Sequence, residues 1–360
     1  MDVARGVASL IMIQGHAYDG WVDPAGKETV AYAFTRLLGS LPLPAFLVLA
    51  GAAVTLRVEA ARHRGEPARS VRAAVAWRGL TVVLWGYASS FAYALLDGHQ
   101  GLDTLLRADV LQVIGVSIAL TALVGIRGDG RTGAPGRASL AWAAVGLAAL
   151  PTLACPWLAP LGHDAAGPWR YLVGLFVDVP GVTRMPVVPL VSWLALGVLV
   201  ALRMTARPGS LPAAGASDRW LLGLAVGSAA VALVANRGMA GLLAARGGEL
   251  SRAHPAVWLN VVDLGARGVL VLAVGALLSQ RVGSAAKAAL LRLGRGSLYA
   301  YMVHVPFCYG LLGAPLRGRL DMASATAAVL GLMGLSYLTV VGVDAWRRRR
   351  RRPGPVLRPG

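Results

Sequence analysis

Asp2, Arg5, Gln14 and His16 are the polar residues that interrupt an otherwise apolar opening stretch. Ionisable side chains are costly to keep at membrane depth, so such a set points to function. Eleven residues separate Arg5 from His16. On a helix that spacing leaves them within roughly 20° of one face and about 16 Å apart along the axis. Asp2 shares this face at i−3 from Arg5 and is placed to pair with it. Imidazole, with an ordinary pKa of about 6.5, suits general-base work, and guanidinium forks suit phosphate. The set therefore fits a ligand whose anionic head rests on arginine while its reactive group meets His16. A snorkelling anchor at Arg5 and a packed interfacial histidine at His16 are the alternative on spacing alone.

Helices that cross a bilayer must position these groups, because 56% of the 360 residues are hydrophobic and only 14% are charged. The mean hydropathy is +0.61, and the apolar residues fall in blocks of roughly the 20 residues a transmembrane helix requires. The expected fold class is all-α, a polytopic membrane bundle of about ten transmembrane helices. The spans are expected near Val3–Tyr18, Leu38–Leu56, Ala73–Leu96, Val110–Ile126 and Leu140–Ala159. Five more are expected near Val188–Leu202, Trp220–Ala235, Val257–Leu278, Leu290–Leu312 and Ala323–Ala345. Arginines cluster in alternate loops: Arg57 to Arg72, Arg127 to Arg137, Arg203 to Arg219, Arg281 to Arg295, and Arg347 to Arg352. The positive-inside rule makes these loops and both termini cytoplasmic. The formal net charge of +18 is then a topology signal reinforced by attraction to anionic lipid, and nucleic-acid binding is not indicated.

One membrane domain, residues 1–346, and an Arg-rich cytoplasmic tail, 347–360, are expected. The loops Arg127–Arg137 and Arg207–Asp218 read as flexible connections. A signal peptide is excluded by the absence of a small-x-small cleavage site and by Gln14 and His16. Because the chain opens directly on a helix, a few residues are expected to precede it. Cys155 and Cys308 lie in apolar segments and read as packing residues, with no metal site suggested.

Two further constellations stand at membrane depth. Asp263 and Arg267, four residues apart, can pair along one face, in a structural or a functional role. Tyr301 and His304 share a face, and Pro306 removes a backbone donor and is expected to bend their helix. His304 reads either as a substrate-orienting group or as a residue bonded to nearby backbone. His63, His99, His163 and His254 fall in loops.

The opening Asp2-Val3-Ala4-Arg5-Gly6, with Met12 and His16, resembles the D-x-x-R-G...M...H start of bacterial proteins related to heparan-alpha-glucosaminide N-acetyltransferase. Arg5 and His16 also match the Arg-x10-His signature of the broader transmembrane acyltransferases. Similar to the family's later segments are Leu41 to Phe46 with Gly51, Arg72 with Arg78, Arg107 to Gly115, and Gly296 to Tyr301 leading to His304 and Pro306. The resemblance implies acetyl transfer from cytoplasmic acetyl-CoA to an amino or hydroxyl group of a sugar-type acceptor across a bacterial inner membrane. It implies His16 as general base, Arg5, Arg69, Arg72 and Arg78 on the phosphates, and supporting roles for Asp2, Asp109, Gln112, Asp263, Arg267, Tyr301 and His304. Pairing with a second copy is left open. A secondary transporter of an anionic or sugar-like solute is the competing reading, although no internal repeat is visible. A membrane interaction protein would have little use for these buried charges.

Overall fold

A computed structural model describes residues 1–97, 101–205, 214–245 and 256–350. In chain order its helices are α1 Asp2–Trp21, α2 Pro24–Lys27, α3 Val30–Gly39, α4 Pro42–His63, α5 Ala68–Asp97, α6 Leu102–Leu105, α7 Val110–Gly125, α8 Arg137–His163, α9 Trp169–Phe176, α10 Val187–Met204, α11 Ala214–Ala245, α12 Ala256–Arg281, α13 Ser284–Arg295, α14 Ser297–Cys308 and α15 Met322–Arg350. The protein is an all-α polytopic membrane bundle. Among the described residues, six stretches are long and apolar enough to cross a bilayer: Val30–His63, Arg137–His163, Val187–Met204, Asp218–Ala245, Val257–Arg281 and Met322–Arg350. Their outward faces carry large apolar side chains, with Trp142 75% and Val234 72% exposed. Such surfaces belong against hydrocarbon, not water.

The chain forms two compact units, one of Met1 and Ser40–Arg281 and the other of Asp2–Gly39 and Val282–Gly360. In the larger unit, α4 and α10 cross at backbone contact. A Cβ on Gly51 would lie 1.9 Å from the Leu194 carbonyl oxygen, and one on Gly197 1.9 Å from that of Val48. Gly79 and Gly115 perform the same service where α5 meets α7, each facing the other's carbonyl. Small residues allow this approach where the hydrophobic effect cannot drive helices together. One end of the unit is tied by the buried Glu59, which accepts from Arg137 Nη1 at 2.7 Å and from Arg62 Nε at 3.1 Å. Arg137 also donates to the Leu202 carbonyl at 2.5 Å and the Thr205 carbonyl at 3.2 Å, satisfying acceptors at the end of α10.

The smaller unit joins the two ends of the described chain. Here α1 and α13 meet through Gly6, which faces the Leu290 carbonyl, and Gly294, which faces that of Asp2. Ile13, Trp21, Val22, Cys308, Ala325 and Val329 are buried together. Trp21 Nε1 donates to the Phe307 carbonyl at 2.9 Å, and the Tyr18 and Thr326 hydroxyls are 2.7 Å apart.

Several expectations are corrected. Leu290–Leu312 is not one span: α13 and α14 are 12 residues each and are interrupted at Gly296, where a Cβ would lie 2.4 Å from Val340. Neither piece is long enough to cross a bilayer alone. The second span, expected near Leu38–Leu56, falls within the longer apolar stretch Val30–His63, which holds the two helices α3 and α4. Arg127–Arg137 is an organised turn instead of a flexible connection, since Asp129 Oδ1 accepts from the amides of Arg131, Thr132 and Gly133. The basic tail begins inside α15, which runs through Arg350. His99, His254, residues 207–213 and the chain beyond Arg350 lie outside the described residues.

Candidate active site

In the smaller unit α1 presents His16 to His304 of α14, with Nδ1 of His16 2.8 Å from Nε2 of His304. The rings are stacked, with centroids 5.1 Å apart and an interplanar angle of 13°. His304 is fully buried, and its Nδ1 lies 2.9 Å from the Ala300 carbonyl oxygen. A carbonyl only accepts, so Nδ1 of His304 carries a hydrogen. In a neutral pair the Nε2 of His304 is then an acceptor, and His16 must donate to it from Nδ1. His16 is left with its lone pair on Nε2, the basic position, while its ring is half-buried. Tyr301 meets His304 edge-on at 5.6 Å.

Asp19, one turn beyond His16, organises the next layer. Its carboxylate accepts from Arg36 Nη1 at 2.9 Å, Tyr309 Oη at 3.1 Å and Tyr32 Oη at 3.4 Å. The Tyr309 ring lies 5.4 Å from that of His16, and Arg317 donates to the Tyr309 carbonyl. The i+3 spacing from His16 on an apolar helix was the signal that could have found Asp19.

At the opposite end of α1, Asp2 pairs with Arg5 and with Arg295, each at 3.2 Å. The expected Asp2–Arg5 pair is therefore present. Arg295 had been read only as a topology marker.

The remaining candidates belong to the larger unit. Arg69 and Arg78 are exposed on α5, with Arg72 partly so. Asp109 caps α7, accepting from the Val110 amide at 2.8 Å, while Gln112 Oε1 accepts from the Asp109 amide at 3.3 Å. Gln112 is buried, and its Nε2 has no hydrogen-bond partner among the described residues. Asp263 and Arg267 form a two-pronged pair, with Nε–Oδ1 2.7 Å and Nη2–Oδ2 2.8 Å. Arg267 Nη1 also donates to Ser40 Oγ at 2.9 Å, and Asn236 Nδ2 to Asp263 Oδ2 at 3.4 Å. Each group of this buried pair thus has a partner, which such burial requires.

The sequence profile of the family described as heparan-alpha-glucosaminide N-acetyltransferase, catalytic, matches residues 1–211. The chain belongs to this family. The match takes in Arg5, His16, Arg69, Arg72, Arg78, Asp109 and Gln112, and stops short of Asp263, Arg267, Tyr301 and His304. A search among curated proteins gave no match. Membership makes the protein a membrane acetyltransferase in type.

Proposed function

We propose that this protein moves an acetyl group from cytoplasmic acetyl-CoA to an amino or hydroxyl group of a sugar-type acceptor on the other side of a bacterial inner membrane. The observation that carries the reading is the His16–His304 hydrogen bond, 2.8 Å long, anchored on the Ala300 carbonyl. His16 Nε2 takes the proton of the acceptor as its nitrogen or oxygen attacks the thioester carbonyl. The tetrahedral adduct expels the CoA thiolate, and the proton held by His16 passes to that sulfur, so charge and protons balance. While His16 is an imidazolium, its Nδ1–H bond to His304 becomes charge-assisted and stronger. His304 is a positioning residue, performing for His16 the orientation that a carboxylate provides in a catalytic triad.

The donor set fits a phosphorylated substrate. In the larger unit Arg69, Arg72 and Arg78 have no ion pair among the described residues, and their forks suit CoA phosphates. Arg5 is the corresponding cation of the smaller unit. Asp2, Asp109, Gln112, Asp263, Arg267 and Tyr301 are proposed to support these groups or the substrate. The arginine distribution supports cytoplasmic termini, lipid surrounds the apolar faces, and pairing with a second copy is compatible with this reading. The test is acetyl transfer in proteoliposomes loaded with acetyl-CoA and bathed in glucosamine. Wild type is expected to acetylate external glucosamine, and His16→Ala to lose about 10²–10⁴-fold in rate. Undiminished transfer by that variant would overturn the assignment of the base. Radiolabel left on protein given acetyl-CoA alone would overturn direct transfer.

A further inference from the structure

A cavity of about 260 Å³ in the smaller unit is lined by Arg295, Asp344, Arg347 and Arg348. It is separate from the histidine pair, and no step above uses it. Three guanidinium groups face one carboxylate. The C-terminal dipole of α13, in whose last turn Arg295 lies, supplies about −0.5 charge. With Asp2, which pairs with Arg295, also counted, about half a positive charge remains uncompensated in the lining.

Two of the forks are already held. Arg295 Nε is 3.2 Å from Asp2 Oδ2, while Arg347 lies over the Tyr299 ring at 5.1 Å and donates to its hydroxyl. Arg348 is exposed and has no hydrogen bond or ion pair among the described residues. Planar donors held before binding favour an oxyanion that accepts bidentately. The volume falls below the roughly 300–1,000 Å³ of sites for whole small molecules, which suits one phosphate-bearing end of a ligand.

We propose that this cavity is a phosphomonoester site. Two sources carry that chemistry: the 3′-phosphate of CoA and the headgroup of phosphatidic acid. The CoA source rests on the acetyl-CoA reading above, and the lipid source does not.

The experiment measures affinities of CoA, 3′-dephospho-CoA and short-chain phosphatidic acid for the full chain in neutral detergent. It compares wild type with Arg348→Gln and Asp344→Asn. Arg348→Gln is expected to weaken the true ligand about tenfold. Asp344→Asn, which removes the lining's negative charge, is expected to strengthen it severalfold. Opposite shifts from two surface changes cannot arise from misfolding. If CoA shifts and dephospho-CoA does not, the ligand is the nucleotide; if only phosphatidic acid shifts, it is the lipid. CoA that fails to bind while phosphatidic acid shifts would sink the donor reading and keep the site. Affinities for CoA and phosphatidic acid that are the same in wild type and both variants would overturn the site, even with acetyl transfer intact.

Discussion

In the proposed mechanism His304 acts on the reaction only through His16, so its substitutions should separate chemistry from folding. His304→Leu keeps bulk but leaves the His16 Nδ1–H without its acceptor, and kcat is expected to fall about 10–100-fold. His304→Gln restores an acceptor oxygen and should recover part of that loss with KM unchanged. Equal rates for Leu and Gln in steady-state assays would mean that His304 only fills space. Tyr309 supplies both a ring beside His16 and a hydroxyl to Asp19. Tyr309→Phe is expected to cost less than fivefold in kcat/KM, near the net worth of about 1 kcal/mol for one hydrogen bond. Tyr309→Ala should cost more, because the ring is lost as well.

Helix crossings and turns carry their own expectations. Gly294→Ala places a methyl where a Cβ would stand 1.9 Å from the Asp2 carbonyl oxygen, whereas nothing lies within 4 Å of that position at Gly331. Overpacking of this kind costs about 1–3 kcal/mol. Thermal unfolding in detergent should therefore show Gly294→Ala destabilised and Gly331→Ala near wild type. The Asp129 turn has a pH dependence of known sign. Hydrogen bonds from Thr132, and then from Arg131 and Gly133, hold the carboxyl below its ordinary value of 3.8. A depressed native pKa stabilises the fold above the unfolded value and ceases to do so as pH falls through the native one. Amide exchange at 131–133 is expected to accelerate only in that acid range. Asp129→Asn, which keeps an acceptor without titrating, should abolish the acceleration.

The same turn shows what composition conceals. Gly and Pro between Arg127 and Arg137 signalled a loop, and only the position of Asp129 relative to three successive amides made it an ordered one. Apolar length placed α8 and α15 well because a bilayer imposes that length on any sequence. It failed at Leu290–Leu312, where the hydrophobic run continues through Gly296 while the backbone does not. The Arg-x10-His spacing made Arg5 and His16 legible. The partnership of His16 with His304 was not, since tertiary contacts between distant segments leave no local periodicity.

Across the whole molecule, charge asymmetry is the basis of the proposed orientation. Cys155 and Cys308 are buried, so single cysteines introduced at exposed Arg131 and Arg319 can be labelled against a low background. Arg131→Cys is expected to react with an impermeant maleimide only after the membrane is opened, and Arg319→Cys in intact cells. The reverse pattern would invert the topology proposed from the arginines.

The smaller unit is assembled from the first 39 residues and the stretch after Arg281, so the larger unit intervenes in sequence. His304 lies 288 residues beyond His16, its hydrogen-bond partner. At about 5–20 residues per second, a ribosome needs roughly 15–60 s to cover that distance. For that interval a newly inserted α1 holds His16 in the bilayer before its partner exists, and the pair forms only after the intervening larger unit has been synthesised.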